Sequence, residues 1–287
     1  MTSAGCVCVN GRFGPPESAT VSALDAGFLL GDGLFESLRA FGGTPYLLDR
    51  HLDRLQKSAA ALGFPDLPPS PILAAEVQDT LRRSGLEEAY LRVTISRGRG
   101  GIGLASGGGS PTRVIAALPL PPRLEPGHGA AVVSIPCPAE RHEPGLKSTS
   151  WQFSVMARRR VEESSADEGL YVSPAGDLLE GISSNLFLVE EGALWTPPSS
   201  QCLSGVTRGR IIELASDLGI ACREAPLSRD RLLAADEAFV TNAVRGIRPV
   251  RSLDGEPLAG PGKVCAALTR LYEEDLRASS IYEEVQS

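Results

Sequence analysis

The stretch Leu179-Glu180-Gly181-Ile182-Ser183-Ser184-Asn185-Leu186-Phe187 decides how the rest of the chain is read. A carboxylate stands before a glycine and a run of small polar residues, and residues 185–189 that follow are apolar enough for a strand, so the composition is that of a tight turn between extended segments. Thirty-three residues before Glu180 lies Lys147, in Pro144-Gly145-Leu146-Lys147-Ser148-Thr149-Ser150-Trp151. Further on comes Leu203-Ser204-Gly205-Val206-Thr207-Arg208. There a helix is predicted over 207–218, because Ile211, Leu214, Ala215 and Leu218 recur on one face.

Each of these has an ordinary reading taken alone. A single lysine is usually a solvated surface residue, Glu180 reads as a carboxylate at a strand end, Thr207 as a helix N-cap, and Ser183, Ser184 and Asn185 as a polar turn. Together and in this order they resemble the cofactor cradle of the fold-type IV pyridoxal-phosphate enzymes. That cofactor needs a lysine for its Schiff base, a carboxylate for its pyridine nitrogen and a helix start for its phosphate. A Schiff-base lysine must shed its proton near neutral pH, and the freed amine then serves as a base. A carboxylate at the ring nitrogen keeps the ring protonated and able to accept electrons. Unpaired amides at a helix N-terminus stabilise a phosphate.

The resemblance extends from Asp25-Ala26-Gly27-Phe28-Leu29-Leu30-Gly31-Asp32-Gly33-Leu34-Phe35-Glu36 to Pro249-Val250. It implies that Lys147 and Glu180 are catalytic, and that pyridoxal 5'-phosphate is held by Arg54, Lys147, Glu180, Val206, Thr207, Asn242 and Ala243. On helical spacing alone Arg54 is a surface charge. The fold implied is a two-domain α/β (α+β) architecture, with a small α/β N-terminal domain and a larger C-terminal domain built on a β-barrel-like core. A site between the domains and a homodimer are implied as well.

The family includes branched-chain aminotransferases, D-amino-acid aminotransferases, R-selective amine transaminases and 4-amino-4-deoxychorismate lyases. Two segments lean towards the lyases: Ile95-Ser96-Arg97-Gly98-Arg99-Gly100-Gly101-Ile102-Gly103, and Phe239-Val240-Thr241-Asn242-Ala243-Val244-Arg245-Gly246-Ile247-Arg248-Pro249-Val250. Ile102 stands where the lyase loop has arginine, and Ser150-Trp151 where asparagine commonly follows the lysine by three positions. The lyase reading makes Arg97 a candidate partner for a substrate carboxylate, since a guanidinium grips a carboxylate through two parallel bonds. Its alternative is a surface arginine beside a glycine loop. The aminotransferase reading remains open beside the lyase, with a pyridoxal-phosphate-binding protein without turnover as a remote alternative.

The bulk composition agrees with a globular enzyme: 287 residues, 42% hydrophobic and 22% charged, with a formal net charge of −7. That charge argues against a nucleic-acid surface, and Arg158-Arg159-Arg160 reads as a solvated helix face because Glu162 and Glu163 follow. The six cysteines at 6, 8, 137, 202, 222 and 265 read as free thiols without zinc-ligand spacing, so no metal is expected. No apolar run approaches the roughly 20 residues that span a bilayer, and no basic region leads into an apolar stretch at the N-terminus, which predicts a cytoplasmic protein with no membrane partner.

Along the chain, strands are predicted at 34–41 and 90–95, with helices over 49–62, capped by Asp49 and stopped by Gly63, and over 71–83. A glycine-rich loop follows from 98 to 109. Pro119, Pro121, Pro122 and Pro126 mark a linker over 119–128, dividing an N-terminal domain, 1–118, from a PLP-binding domain, 129–287. In the second domain strands are predicted at 130–135, 168–172, 185–189 and 236–241, and helices near 151–164, 207–218 and from 262.

Overall fold

The computed structural model describes residues 4–64, 67–100, 109–122, 129–139 and 143–284. Residues 101–108 of the glycine-rich loop, Ile102 among them, and 123–128 of the linker lie outside the described residues. The chain forms two compact units. One comprises 1–122 with the segments 146–151 and 276–287, the other 123–145 with 152–275. The short segment carrying Lys147 thus counts with the first unit, although it follows the linker in sequence.

Six antiparallel strands make the sheet of the first unit, in the spatial order Arg12–Gly14, Cys6–Val9, Thr112–Pro119, Ala89–Ser96, Gly33–Phe41, Thr44–Pro45. Alternation along Ala89–Ser96 shows why one face is covered. Ala89, Leu91, Val93 and Ile95 are fully buried, while Tyr90, Arg92 and Thr94 point to the other face. Helices Leu48–Ala61 and Ser70–Ser84 supply Leu52, Leu55, Leu73, Val77 and Leu81 to the buried layer. Truncating one of these leucines to alanine costs about 2–5 kcal/mol, so this layer sets the position of the sheet.

The first helix begins one residue earlier than its spacing predicts. Leu47, with φ 54°, occupies the N-cap position and makes no side-chain cap, and Asp49 sits inside the first turn. There its charge meets the helix dipole rather than an orphan N–H. Gly63 follows the helix at φ +59°, as a stop residue should.

The second unit holds a mixed sheet that curls as a half-barrel. Its order is Cys222–Glu224, Ala193–Thr196, Asn185–Glu190, Glu237–Asn242, Gly246–Leu253, Ala130–Pro136, Glu168–Val172, Asp177–Gly181, Leu227–Ser228, with Glu256–Pro257 beside Gly246–Leu253. Ala130–Pro136 runs parallel to both its neighbours, and a helix, Gln152–Glu163, precedes Glu168–Val172. Its core gathers Val132, Leu170, Leu178, Leu186, Leu188, Leu232, Val240, Val250 and Leu253. Helix Val206–Asp217 packs on strand Glu237–Asn242, and helix Lys263–Glu284 closes the chain. The α/β class and β-barrel-like core expected from the sequence are the fold observed.

Candidate cofactor site

In the second unit Glu180 is the last residue but one of the strand Asp177–Gly181 and is buried. Its Oε2 accepts a bond from the Leu203 N–H at 3.0 Å and lies 3.3 Å from the donating Nδ2 of Asn185. The same Nδ2 donates to the Leu203 carbonyl at 2.9 Å. One amide therefore ties the carboxylate to the chain entering helix Val206–Asp217. Glycine is required at 205 by close approach, since a Cβ there would stand 2.0 Å from Asn185 Oδ1.

Gly205, with φ −61° and ψ 134°, is also the N-cap, and no side chain caps it. Thr207, read from sequence as an N-cap, is instead the second residue of the helix and buried. The turn closed by Gly205 N–H to the Leu203 carbonyl at 2.8 Å delivers the chain into the helix before Thr207 is reached. The helix thus begins with amides that have no intrahelical acceptor and no side-chain cap, the requirement for an anion.

Across the sheet, Thr241 pairs in register with Asn185. Thr241 Oγ1 is buried without a hydrogen-bond partner among the described residues, a situation that costs about 1–3 kcal/mol unless a ligand relieves it. Asn242 Oδ1 accepts the N–H groups of Val244 at 3.1 Å and Arg245 at 2.8 Å, closing a side-chain-capped turn around Ala243. Glu180, Val206, Thr207, Asn242 and Ala243 are thereby gathered in one unit. A buried carboxylate, a helix start without a cap and an orphan hydroxyl fit a phosphorylated, protonatable heterocycle.

The first unit holds the two remaining assigned residues. Residues 147–149 lie against the start of strand Gly33–Phe41: Phe35 N–H donates to the Lys147 carbonyl at 3.0 Å and Thr149 N–H to the Gly33 carbonyl at 2.8 Å. Lys147 Nζ stands 4.6 Å from the centroid of the Phe35 ring, and the Arg92 guanidinium 3.9 Å from the same centroid. Trp151 packs edge-on against that ring at 5.1 Å.

Glu36, the next residue, points to the helix-covered face. It receives Arg54 Nε at 2.8 Å and Arg54 Nη2 at 2.6 Å, and His51 Nδ1 lies 2.7 Å from its Oε2. Arg54 is thus no surface charge, as helical spacing alone would have it: the side chain is 13% exposed and its guanidinium is gripped at two points. Burial of Glu36 opposes its ionisation, but the bonds from His51 and Arg54 outweigh it and hold the carboxyl down at about 2. Burial lowers the His51 value, against the pull of Glu36, and the charges of Arg54 and Lys147 add to the lowering. Lys147 and Arg54 are served by successive strand residues, Phe35 and Glu36, that face opposite ways.

Arg97, also in the first unit, has partners of its own. Its Nε donates to Asp32 Oδ2 at 2.6 Å, Nη1 to the Gly63 carbonyl at 3.0 Å and Nη2 to the Leu62 carbonyl at 3.1 Å, while the guanidinium covers Phe64. A substrate carboxylate would have to compete with Asp32 for this group. Sequence reading missed Thr241 in the second unit, and His51 and Arg92 in the first. Only Arg92 carried a signal, the polar alternation of Tyr90, Arg92 and Thr94.

The family model for amino-transferase class IV matches residues 33–253. The chain belongs to this family. It is 38% identical over 254 residues to a putative branched-chain-amino-acid aminotransferase of Methanocaldococcus jannaschii, covering 87% of this chain and 88% of the relative. To an aminodeoxychorismate lyase of Bacillus subtilis it is 30% identical over 277 residues, covering 94% of each. A solved branched-chain amino acid aminotransferase of T.th. with pyridoxamine 5'-phosphate superposes with a TM-score of 0.88 at 27% identity, covering 97% of this chain and 96% of the other. This class IV chain is therefore a pyridoxal-phosphate enzyme, and the donors described above are of the kind that cofactor requires. Among its described residues, no helix is long and apolar enough to cross a membrane.

Proposed function

We propose that this class IV enzyme is a lyase that converts 4-amino-4-deoxychorismate to 4-aminobenzoate and pyruvate. The observation that carries the reading is the turn after Thr241. Its cap is the side chain of Asn242, which reaches the N–H groups of both Val244 and Arg245. Gly246 then adopts φ +70°, and a Cβ there would lie 3.0 Å from Tyr272, so this Thr-Asn-x-x-x-Gly pattern is built into the backbone. The pattern resembles that of the class IV lyases.

In this reading Lys147 would hold the cofactor through Nζ, and its amine when free would take the proton from the substrate carbon that bears the amino group. The bound cofactor supplies a sink for the electron pair so released. Glu180 keeps a proton on the ring nitrogen. The helix start at Val206 and Thr207, the backbone at Asn242 and Ala243, and Arg54 take the phosphate. The neighbouring carbon–oxygen bond then breaks, the enolpyruvyl oxygen leaves with the pair, and enolpyruvate gains a proton to become pyruvate. Arg92, beside Lys147 over the Phe35 ring, supplies a cation for an anionic substrate.

A second reading, a class IV aminotransferase, is favoured by the 38% identity to the archaeal protein. One experiment separates them. Multiple turnovers of aminodeoxychorismate to 4-aminobenzoate without any keto acid are expected of the lyase, because elimination regenerates the starting enzyme each cycle. If that substrate is inert and a branched-chain or D-amino acid turns over only with 2-oxoglutarate present, the aminotransferase reading replaces it.

The functional form in this proposal is a homodimer. Val21, Leu24, Phe28, Leu29 and Leu30 are 51%, 55%, 72%, 53% and 43% exposed, an apolar patch suited to a second copy. Sedimentation should give twice the chain mass, and Phe28→Glu should shift it towards one.

A further inference from the structure

A second buried carboxylate stands behind Glu180. Glu168 opens the strand Glu168–Val172 and is 8% exposed. Its Oε2 accepts the hydroxyls of Ser183 at 2.7 Å and Ser184 at 3.2 Å, and its Oε1 accepts the N–H of Gly169 at 3.0 Å. A buried carboxylate is tolerable only when donors replace its water, and each of these three does so.

What these bonds hold is the turn between Glu180 and Asn185. Gly181 N–H closes that turn on the Ser184 carbonyl at 2.7 Å, and Ile182 N–H ties it to the Gly169 carbonyl at 2.9 Å. At one end stands the Glu180 carboxylate, and at the other the Asn185 amide that reaches both Glu180 and Leu203. The backbone anchors the turn at Ile182, and the hydroxyls of the two serines that complete it are anchored on Glu168.

We propose that Glu168 is a positioning residue for Glu180, holding the Gly181–Ser184 turn so that the Glu180 carboxylate and the helix start at Gly205 keep a fixed separation. The proposal rests on the assignment of Glu180 to the pyridine nitrogen. Glu168 touches neither substrate nor cofactor. Because it acts through Glu180, its effect should appear in kcat and vanish where Glu180 is already disabled.

A double-mutant cycle tests this on the cofactor-loaded enzyme, with whichever substrate turns over in the assay above. Glu168→Ala should lower kcat by about tenfold or more with KM within about threefold, while in a Glu180→Gln background the same change should cost less than about twofold. Ser183→Ala, a milder change should Glu168→Ala fail to fold, should lower kcat severalfold and be equally silent in that background. Amide hydrogen exchange gives a readout apart from turnover. The Leu203 N–H, which donates to Glu180, should exchange about tenfold faster in either single variant. Losses that multiply across the cycle, or single variants within twofold of the parent, would overturn the positioning role while leaving Glu180 in place. If Glu180→Gln alone retains full activity, the Glu180 assignment has failed and the proposal falls with it.

Discussion

Glu36 in the first unit and Glu180 in the second are both buried carboxylates, and different kinds of donor reach them. Glu36 is answered by a guanidinium gripping it at two points and by His51 at 2.7 Å, so its charge is cancelled where it stands. The partners of Glu180 include a backbone N–H and a side-chain amide, both neutral donors. Dipoles lower the cost of burying a carboxylate without cancelling its charge. Donors of this kind leave a carboxylate able to stabilise a positive charge placed beside it, which is what a protonated ring nitrogen presents. Glu36 instead spends its charge on fixing Arg54, the residue proposed to take the phosphate.

The strongest way to break this division is at Lys147, the amine whose chemistry both arrangements would serve. Lys147→Ala should retain the fold and lower turnover by at least about 10³-fold, since attachment and proton transfer are lost together. Borohydride reduction of the parent followed by peptide mapping should put the pyridoxyl group on Lys147. A label on another lysine would move the site elsewhere. Next comes Glu180→Gln, which keeps the shape and the capacity to accept the Leu203 N–H but removes the charge. A loss of about 10²-fold in kcat, about 3 kcal/mol of barrier, is expected with cofactor still bound. Activity within twofold of the parent would mean that the neutral donors around Glu180 serve structure alone.

The two halves of this comparison were unequally legible in the sequence. Glu180 was readable because Gly181, Ser183, Ser184 and Asn185 make a turn whose residue types are demanding, and Gly205-Val206-Thr207 could be placed at a helix start from periodicity. The helix was found, but its cap was assigned to Thr207 when Gly205 holds that position, because the clash of a Cβ with Asn185 is a long-range fact. Arg54 was placed only by resemblance, since helical spacing alone makes it a surface charge and its true partner lies eighteen residues away on a strand. His51 and Glu168 carried no local signal, as each acquires its meaning from a residue on another element. The strand predicted over 90–95 is observed as Ala89–Ser96, yet nothing local said that its polar face would put Arg92 over Phe35.

The third test acts on Glu36 through pH. Its carboxyl titrates at about 2 in the folded chain against 4.5 ordinarily, so its contribution to stability is complete above about pH 4.5 and is lost as pH falls towards 2. His51, lowered from 6.5 by burial, adds a loss in the same direction that begins nearer pH 6.5. The Glu36 share is on the order of 3 kcal/mol. Urea midpoints should therefore fall more steeply in the parent than in Glu36→Gln between about pH 4.5 and 2.5, with the variant the less stable of the two at pH 7. Parallel curves across that window would show that Glu36 is not held ionised, and the contrast with Glu180 would lose one side.

The smallest effect is expected at Arg97, which decides whether a third guanidinium belongs with structure or with substrate. Its bonds to Asp32, Leu62 and Gly63 join the strand end to the turn after the helix Leu48–Ala61, and its partner Asp32 is 29% exposed. Solvent screens such a pair, so Arg97→Ala should cost about 1 kcal/mol of stability or less. If that structural duty is its whole role, KM for the substrate should stay within about twofold, because no binding interaction has been removed. If Arg97 instead grips a substrate carboxylate, KM should rise by about tenfold or more, with Arg97→Lys recovering little of it, since an ammonium cannot offer two parallel bonds. That outcome would require Arg97 to leave Asp32 when substrate binds, and it would add a charge-for-charge exchange to a unit in which Glu36 also holds a guanidinium.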